Sequence, residues 1–232
     1  MLASVRQFVV FSEPAILETL LRDRYQAIPE SNERKLWLLK NVIQALVNHR
    51  DDWQGAFIKF PARAILDYPL IAQAYPSVPC VVVYRDPVEV LVSLSGGQVD
   101  RLPPGLENAG LLRDDPEAIR MMRPTEFWAR VVADQFAAAL AMSASSRPLL
   151  INYSQLPEAV WTKLATFCGT ALSDSDVERM QEVVMRSAKA PGKPFSDDSA
   201  GKRASATDET RALVSRFVQP CYDRLESLRQ RS

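Results

Sequence analysis

Four short apolar runs constrain how this chain folds: Phe8-Val9-Val10-Phe11, Ala56-Phe57-Ile58-Lys59-Phe60, Val81-Val82-Val83-Tyr84 and Leu149-Leu150-Ile151-Asn152. Each is rich in β-branched or aromatic residues and too short for a typical helix, so each reads as a buried strand. Between them, apolar residues recur at three- and four-residue spacing. Ile16, Leu17, Leu20 and Leu21 form one stripe. Leu36, Leu39, Ile43, Leu46 and Val47 form another on a helix over 33–48, and Trp128, Val131, Val132 and Phe136 lie on one over 125–142. Strands joined through helices pair in parallel, with helices on both faces. The expected class is therefore α/β: a three-layer, mostly parallel sheet flanked by helices, in one domain over residues 1–232. Residues 63–68 form a short helix or turn. Further helices are expected at 157–168, ended by Gly169, and at 173–187, where Ser173 and Asp176 can form a capping box. A last one covers 207–229 and kinks near Pro220.

Composition narrows the partners. The 232 residues are 47% hydrophobic, enough for a sizeable core. Lys plus Arg number 28 and Asp plus Glu 28, so no global basic field draws the chain to nucleic acid or a membrane surface. No apolar run approaches the roughly 20 residues that span a bilayer, and the start lacks the pattern of a signal peptide. Cys80, Cys168 and Cys221 are scattered, which points to thiols in a reducing, cytoplasmic setting. His49 has no liganding partner in the sequence, so no metal is expected.

In a parallel sheet, ligands bind beyond the carboxyl ends of the strands. Three charged residues fall there: Glu13, Lys59 and Arg85. Arg85 precedes Asp86-Pro87-Val88-Glu89, a helix start with an N-cap, proline at the first helical position and an acidic capping-box residue. A guanidinium fork, a helix N-terminus and the Ser93 hydroxyl two turns on make an anion site. The competing reading has Arg85 pairing only with Asp86 or Glu89. Glu13 suits a general base, or simply complements the following helix start. Lys59 suits a developing negative charge, or extends to solvent. The polar segment 190–206 contains Lys193, Lys202 and Arg203, with Lys189 just before it, and can close over a phosphate-rich ligand. Asp197 and Asp198 cut against a purely anion-binding loop; in the alternative they pin it by pairing with a helix end. The segment 96–124, rich in Gly, Pro, Asp and Arg, reads as a lid or acceptor loop, with Met121, Met122, Phe127 and Trp128 as apolar walls or plain packing.

With these residues in view, the chain resembles the sulfotransferases that use 3′-phosphoadenosine 5′-phosphosulfate (PAPS), especially bacterial ones. The matching pieces are Phe11-Ser12-Glu13-Pro14, Phe57-Ile58-Lys59-Phe60, and Tyr84-Arg85-Asp86-Pro87 with Ser93. Later come Ile151 to Pro157, Phe167-Cys168-Gly169 and Gly192 to Ser199. The resemblance implies a P-loop NTPase-like sulfotransferase fold. It implies that Arg85 and Ser93 hold the 3′-phosphate, and that Lys193, Lys202 and Arg203 belong to a segment covering the nucleotide. Glu13 then deprotonates the acceptor, and Lys59 stabilises charge during in-line transfer. The acceptor, a hydroxyl or amine on a carbohydrate, lipid, phenol or peptide, stays open, as does the oligomeric state.

Family members open with a strand and a loop similar to Gly-x-Pro-Arg-Ser-Gly-Thr-Thr, whereas this sequence starts at Met1-Leu2-Ala3-Ser4. The expected fold is therefore N-terminally incomplete. A start codon placed too late, a truncated remnant, and a noncatalytic relative that binds a nucleotide or a protein partner are the three explanations. A P-loop kinase or a GxGxxG dinucleotide protein needs motifs that are absent here.

Overall fold

A computed structural model describes residues 1–21, 31–48, 53–95, 112, 115–185 and 198–231. Its first elements are β1 (Phe8–Ser12), α1 (Ala15–Leu21), α2 (Asn32–Val47), β2 (Gly55–Lys59) and α3 (Tyr68–Ala74). Then come β3 (Val81–Tyr84), α4 (Pro87–Ser95), α5 (Pro116–Met121), α6 (Pro124–Ser146) and β4 (Leu149–Asn152). The remaining helices are α7 (Ala165–Phe167), α8 (Asp174–Val184), α9 (Ser199–Ser205), α10 (Asp208–Phe217) and α11 (Gln219–Arg229). The four apolar runs are all strands, and their pairing is parallel. The class is mixed α/β.

The single sheet is a correction. Among the described residues the strands form two separate two-stranded sheets. In one, β1 pairs with β2 from Phe8 opposite Gly55 to Ser12 opposite Lys59. In the other, β3 pairs with β4 from Val81 opposite Leu149 to Tyr84 opposite Asn152. Packing also divides the chain into two compact units, one of Met1–Cys80 with Gln155–Ser196 and one of Val81–Ser154 with Asp197–Ser232. Each sheet has its own helices and its own core. Apolar strands announce burial, but they do not say which strand lies beside which.

In the first unit, side-chain alternation covers both faces of the β1–β2 pair. Phe8 and Phe57 meet edge to face on one side, 5.3 Å between ring centres, and pack with Val5, Val160 and Met180. Ile58, next along β2, joins the opposite cluster around Leu17, Leu39, Ile43 and Ala74 from α1, α2 and α3. Ser31 caps α2 by accepting the Arg34 N–H. The capping box of α8 is present: Ser173 and Asp176 satisfy each other's backbone N–H groups. The helix expected over 157–168 is present over 158–167, and its middle is a π-helical turn, Val160–Leu164, that runs into α7. Gly169 closes it at φ 64°, a left-handed position that suits glycine.

In the second unit, α6 is the central helix and buries Phe127, Ala129, Val131, Val132, Phe136, Ala139 and Met142. Val82 and Tyr84 of β3 are buried, whereas Val83, on the other face, is 53% exposed. Leu112, Ile119, Phe127 and Val131 form a cluster against which Met122 and Trp128 pack. Of the expected acceptor walls, these three are packing residues, and only Met121 is exposed. The expected long last helix is broken at Val218 into α10 and α11. Pro220, which has no N–H, sits in the first turn of the second piece. No helix among the described residues is long and apolar enough to cross a membrane.

The ends of β3 and β4 are tied to α11 by one carboxylate. Glu226 accepts from the Tyr84 hydroxyl. It also accepts from Asn152 Nδ2 at 2.9 Å and Arg229 Nη2 at 2.7 Å. Asn152 Nδ2 further donates to the Tyr222 hydroxyl at 3.1 Å. Arg229 is the main influence holding the Glu226 carboxyl down at about 2, against the opposing effect of burial; Asn152 and Tyr84 add to it. A depressed carboxyl stabilises the fold above its unfolded-state value near 4.5, and that stability is lost as pH falls from there toward 2.

Glu226→Gln lowers stability at pH 7 by on the order of 2 kcal/mol and flattens the loss of stability on acidification. Urea titrations between neutral pH and pH 3 measure both. Arg147, the residue after α6, is exposed and held at φ 49°. Arg147→Gly removes that strain and raises the midpoint of urea unfolding, by about 0.5–1 kcal/mol in stability.

Candidate anion-binding site

The end of β3 turns directly into α4. Asp86 caps the helix: its Oδ1 accepts the Val88 N–H at 2.9 Å and the Glu89 N–H at 3.3 Å. These helix-start donors are therefore engaged by the chain itself. The Glu89 carboxylate turns toward two arginines. Arg85 Nε donates to its Oε2 at 2.5 Å, and Arg203 Nη1 lies 3.0 Å from its Oε1. Glu89 is only 3% exposed. A carboxylate out of water requires such charged partners, because lost solvation otherwise outweighs anything its burial contributes.

The other side of the Arg85 fork faces α9. Nη2 donates to Asp198 Oδ1 at 2.8 Å and to Ser199 Oγ at 3.0 Å. The guanidinium carbon lies over the Tyr153 ring, 4.4 Å from its centre. Lys202 Nζ reaches the second Asp198 oxygen at 2.7 Å. Lys202 first, and then Arg85, hold the Asp198 carboxyl down at about 2, against a smaller effect of burial. Burial works against the charge on Arg85, but Asp198 and Glu89 outweigh it and raise its pKa above the usual arginine range. Three cations thus face two carboxylates and leave one net positive charge in the group.

Arg85, Lys202 and Arg203 converge. Arg85 does pair with Glu89, though not with it alone, since it also reaches Asp198 and Ser199 of the 190–206 segment. Asp198 pairs at a helix start, with the arginine that precedes α4. That segment is not all loop: its second half forms α9. Ser93 is exposed on α4, one turn beyond Glu89 on the same face. Lys193 and Lys189, the rest of the 190–206 segment, most of 96–124 and His49 lie outside the described residues.

Glu13 and Lys59 belong to the other unit. The Glu13 N–H donates to the Lys59 carbonyl at 2.7 Å, extending the β1–β2 pairing by one residue. Glu13 sits at φ 52°, an uncommon left-handed position for a residue with a side chain. Its Oε1 lies 2.5 Å from Lys59 Nζ, with the two side chains 45% and 65% exposed. The two residues given separate chemical roles from their positions at strand ends are thus ion-paired with each other.

Sequence reasoning missed Tyr153 and Ser199 as neighbours of Arg85, and the second arginine on Glu89. The only signal for Glu89 was its spacing: four residues from Arg85 puts the pair on one helix face. Comparison with protein-family models gives no match, and comparison with curated proteins gives none either.

The buried carboxylate sets an order of stabilities. Glu89→Ala leaves two arginines facing a void and costs about 3 kcal/mol. Asp86→Ala removes only a cap and costs about 1 kcal/mol. Urea unfolding of both variants measures the difference.

Proposed function

We propose that this chain is a sulfotransferase-like protein that binds PAPS through the cationic group around Arg85. In this reading Arg85 and Ser93 hold the 3′-phosphate. Lys202 and Arg203 flank it, with Lys193 earlier in the same stretch of sequence. The observation that supports it is the pairing of Arg85 with Asp198 across 113 residues of sequence, which puts Lys202 and Arg203 at the same strand end. The residues fit the group: a guanidinium fork, an ammonium and hydroxyls are the donors that a phosphate takes.

PAPS supplies the sulfuryl group: its bond from sulfur to the 5′-phosphate oxygen breaks as the acceptor's oxygen or nitrogen bonds to sulfur. Glu13 takes the acceptor's proton in this reading. Lys59 offsets negative charge on the departing phosphate, which leaves with the electron pair as adenosine 3′,5′-bisphosphate. Both residues must give up their mutual ion pair to do so. That pair also supports a second reading, a noncatalytic relative that binds the nucleotide or a protein partner without transferring sulfate.

Calorimetry with adenosine 3′,5′-bisphosphate tests the binding. Lys202→Ala weakens it about tenfold, and adenosine 5′-monophosphate binds at least tenfold more weakly than the bisphosphate. Arg85→Ala is the poorer test, because it also strips a partner from buried Glu89. A folded chain that does not bind, or one that binds both nucleotides alike and ignores Lys202→Ala, refutes the assignment. Release of bisphosphate from PAPS in the presence of an acceptor separates the enzyme from the noncatalytic relative.

A further inference from the structure

We propose that Asp198 is an internal counter-anion: its carboxylate fills the oxyanion seat between Arg85 and Lys202, and an incoming phosphate replaces it. The inference rests on the nucleotide-binding reading and adds to it the residue that sets the affinity of the site.

The geometry is that of a bound oxyanion. One Asp198 oxygen is 2.8 Å from Arg85 Nη2 and the other 2.7 Å from Lys202 Nζ. Ser199 Oγ, 3.0 Å from the same Nη2, provides a neutral neighbour at the rim. A phosphate presents oxygens to the same two cations. Of the two carboxylates in the group, only Asp198 is free to leave. Glu89 is buried within α4 and held by two guanidiniums, whereas the Asp198 side chain is 54% exposed.

The local backbone also permits the exchange. Asp198 occupies the N-cap position of α9, yet its carboxylate makes no capping hydrogen bond. Turning it out to solvent therefore removes no hydrogen bond from the helix start. Its carbonyl still accepts the Lys202 N–H at 3.0 Å, which keeps Lys202 and Arg203 on the same helix while the side chain turns away. An exchange of this kind reduces the apparent affinity by the fraction of molecules in which the seat is filled from within.

The alternative role for Asp198 is a fixed strut that positions Lys202. The two roles differ in sign. If Asp198 competes with the ligand, removing its charge tightens binding; if it positions the cations, removal weakens binding.

The experiment titrates wild type, Asp198→Asn, Asp198→Ser and Lys202→Ala with adenosine 3′,5′-bisphosphate and with inorganic phosphate. Asp198→Ser keeps a residue suited to a helix start and guards against a folding defect in the asparagine variant. Both Asp198 variants are expected to bind the bisphosphate about fivefold to twentyfold more tightly than wild type, and inorganic phosphate more tightly as well. If both bind as wild type or more weakly, while Lys202→Ala still weakens binding, the counter-anion is refuted and the nucleotide site stands. If no variant and no wild-type chain binds either anion, the nucleotide site is refuted and the counter-anion with it.

Discussion

The buried carboxylate of Glu89 governs the arrangement around it. It lies in the first turns of α4, and out of water it needs two positive partners. One is Arg85, at the end of β3. The other is Arg203, on α9, far away in sequence. Satisfying one charge therefore joins a strand end, a helix start and a late helix. The group that results carries more positive than negative charge and opens to solvent at Asp198. The gathering of cations in this unit is a consequence of how a negative charge came to be buried.

A second carboxylate does similar work a short way along the same unit. Glu226 gathers Tyr84, Asn152 and Arg229, so that both strands of the β3–β4 pair end on α11. The aromatic rings of Tyr84, Phe136 and Tyr222 surround the polar core of this knot. The two arrangements differ in one physical respect. Among the described residues Glu226 is held by Tyr84, Asn152 and Arg229, and its side chain is 20% exposed. Around Arg85 one carboxylate is sealed and the other half exposed. That difference in solvation is why the Arg85 group is the functional candidate and the Glu226 group is read as structural.

The first unit makes a different use of charge. Glu13 and Lys59 sit beside each other because β1 and β2 are parallel and in register up to Ser12 opposite Lys59. Pairing is then the direct outcome of strand register, not of a designed reaction centre. Exposed as they are, the two side chains lose little by separating. A base role for Glu13 thus requires an acceptor to compete with a weak surface contact, which is a modest demand.

Much of the local structure was legible in the sequence. The four apolar runs became strands, Pro87 and Asp86 set the start of α4, and Ser173 with Asp176 capped α8. These features depend on neighbours within a few residues, where propensity and hydrogen bonding are decided by the chain itself. The place of Arg85 between a strand end and a capped helix start was legible for the same reason: the three are contiguous. What only the tertiary structure decided is which distant groups met. The division of four strands into two pairs, the capture of Glu89 by Arg203, and the meeting of Asp198 with Arg85 and Lys202 all depend on long-range packing. A charged side chain carries no mark of its eventual partner, because any opposite charge that packing brings within reach will serve.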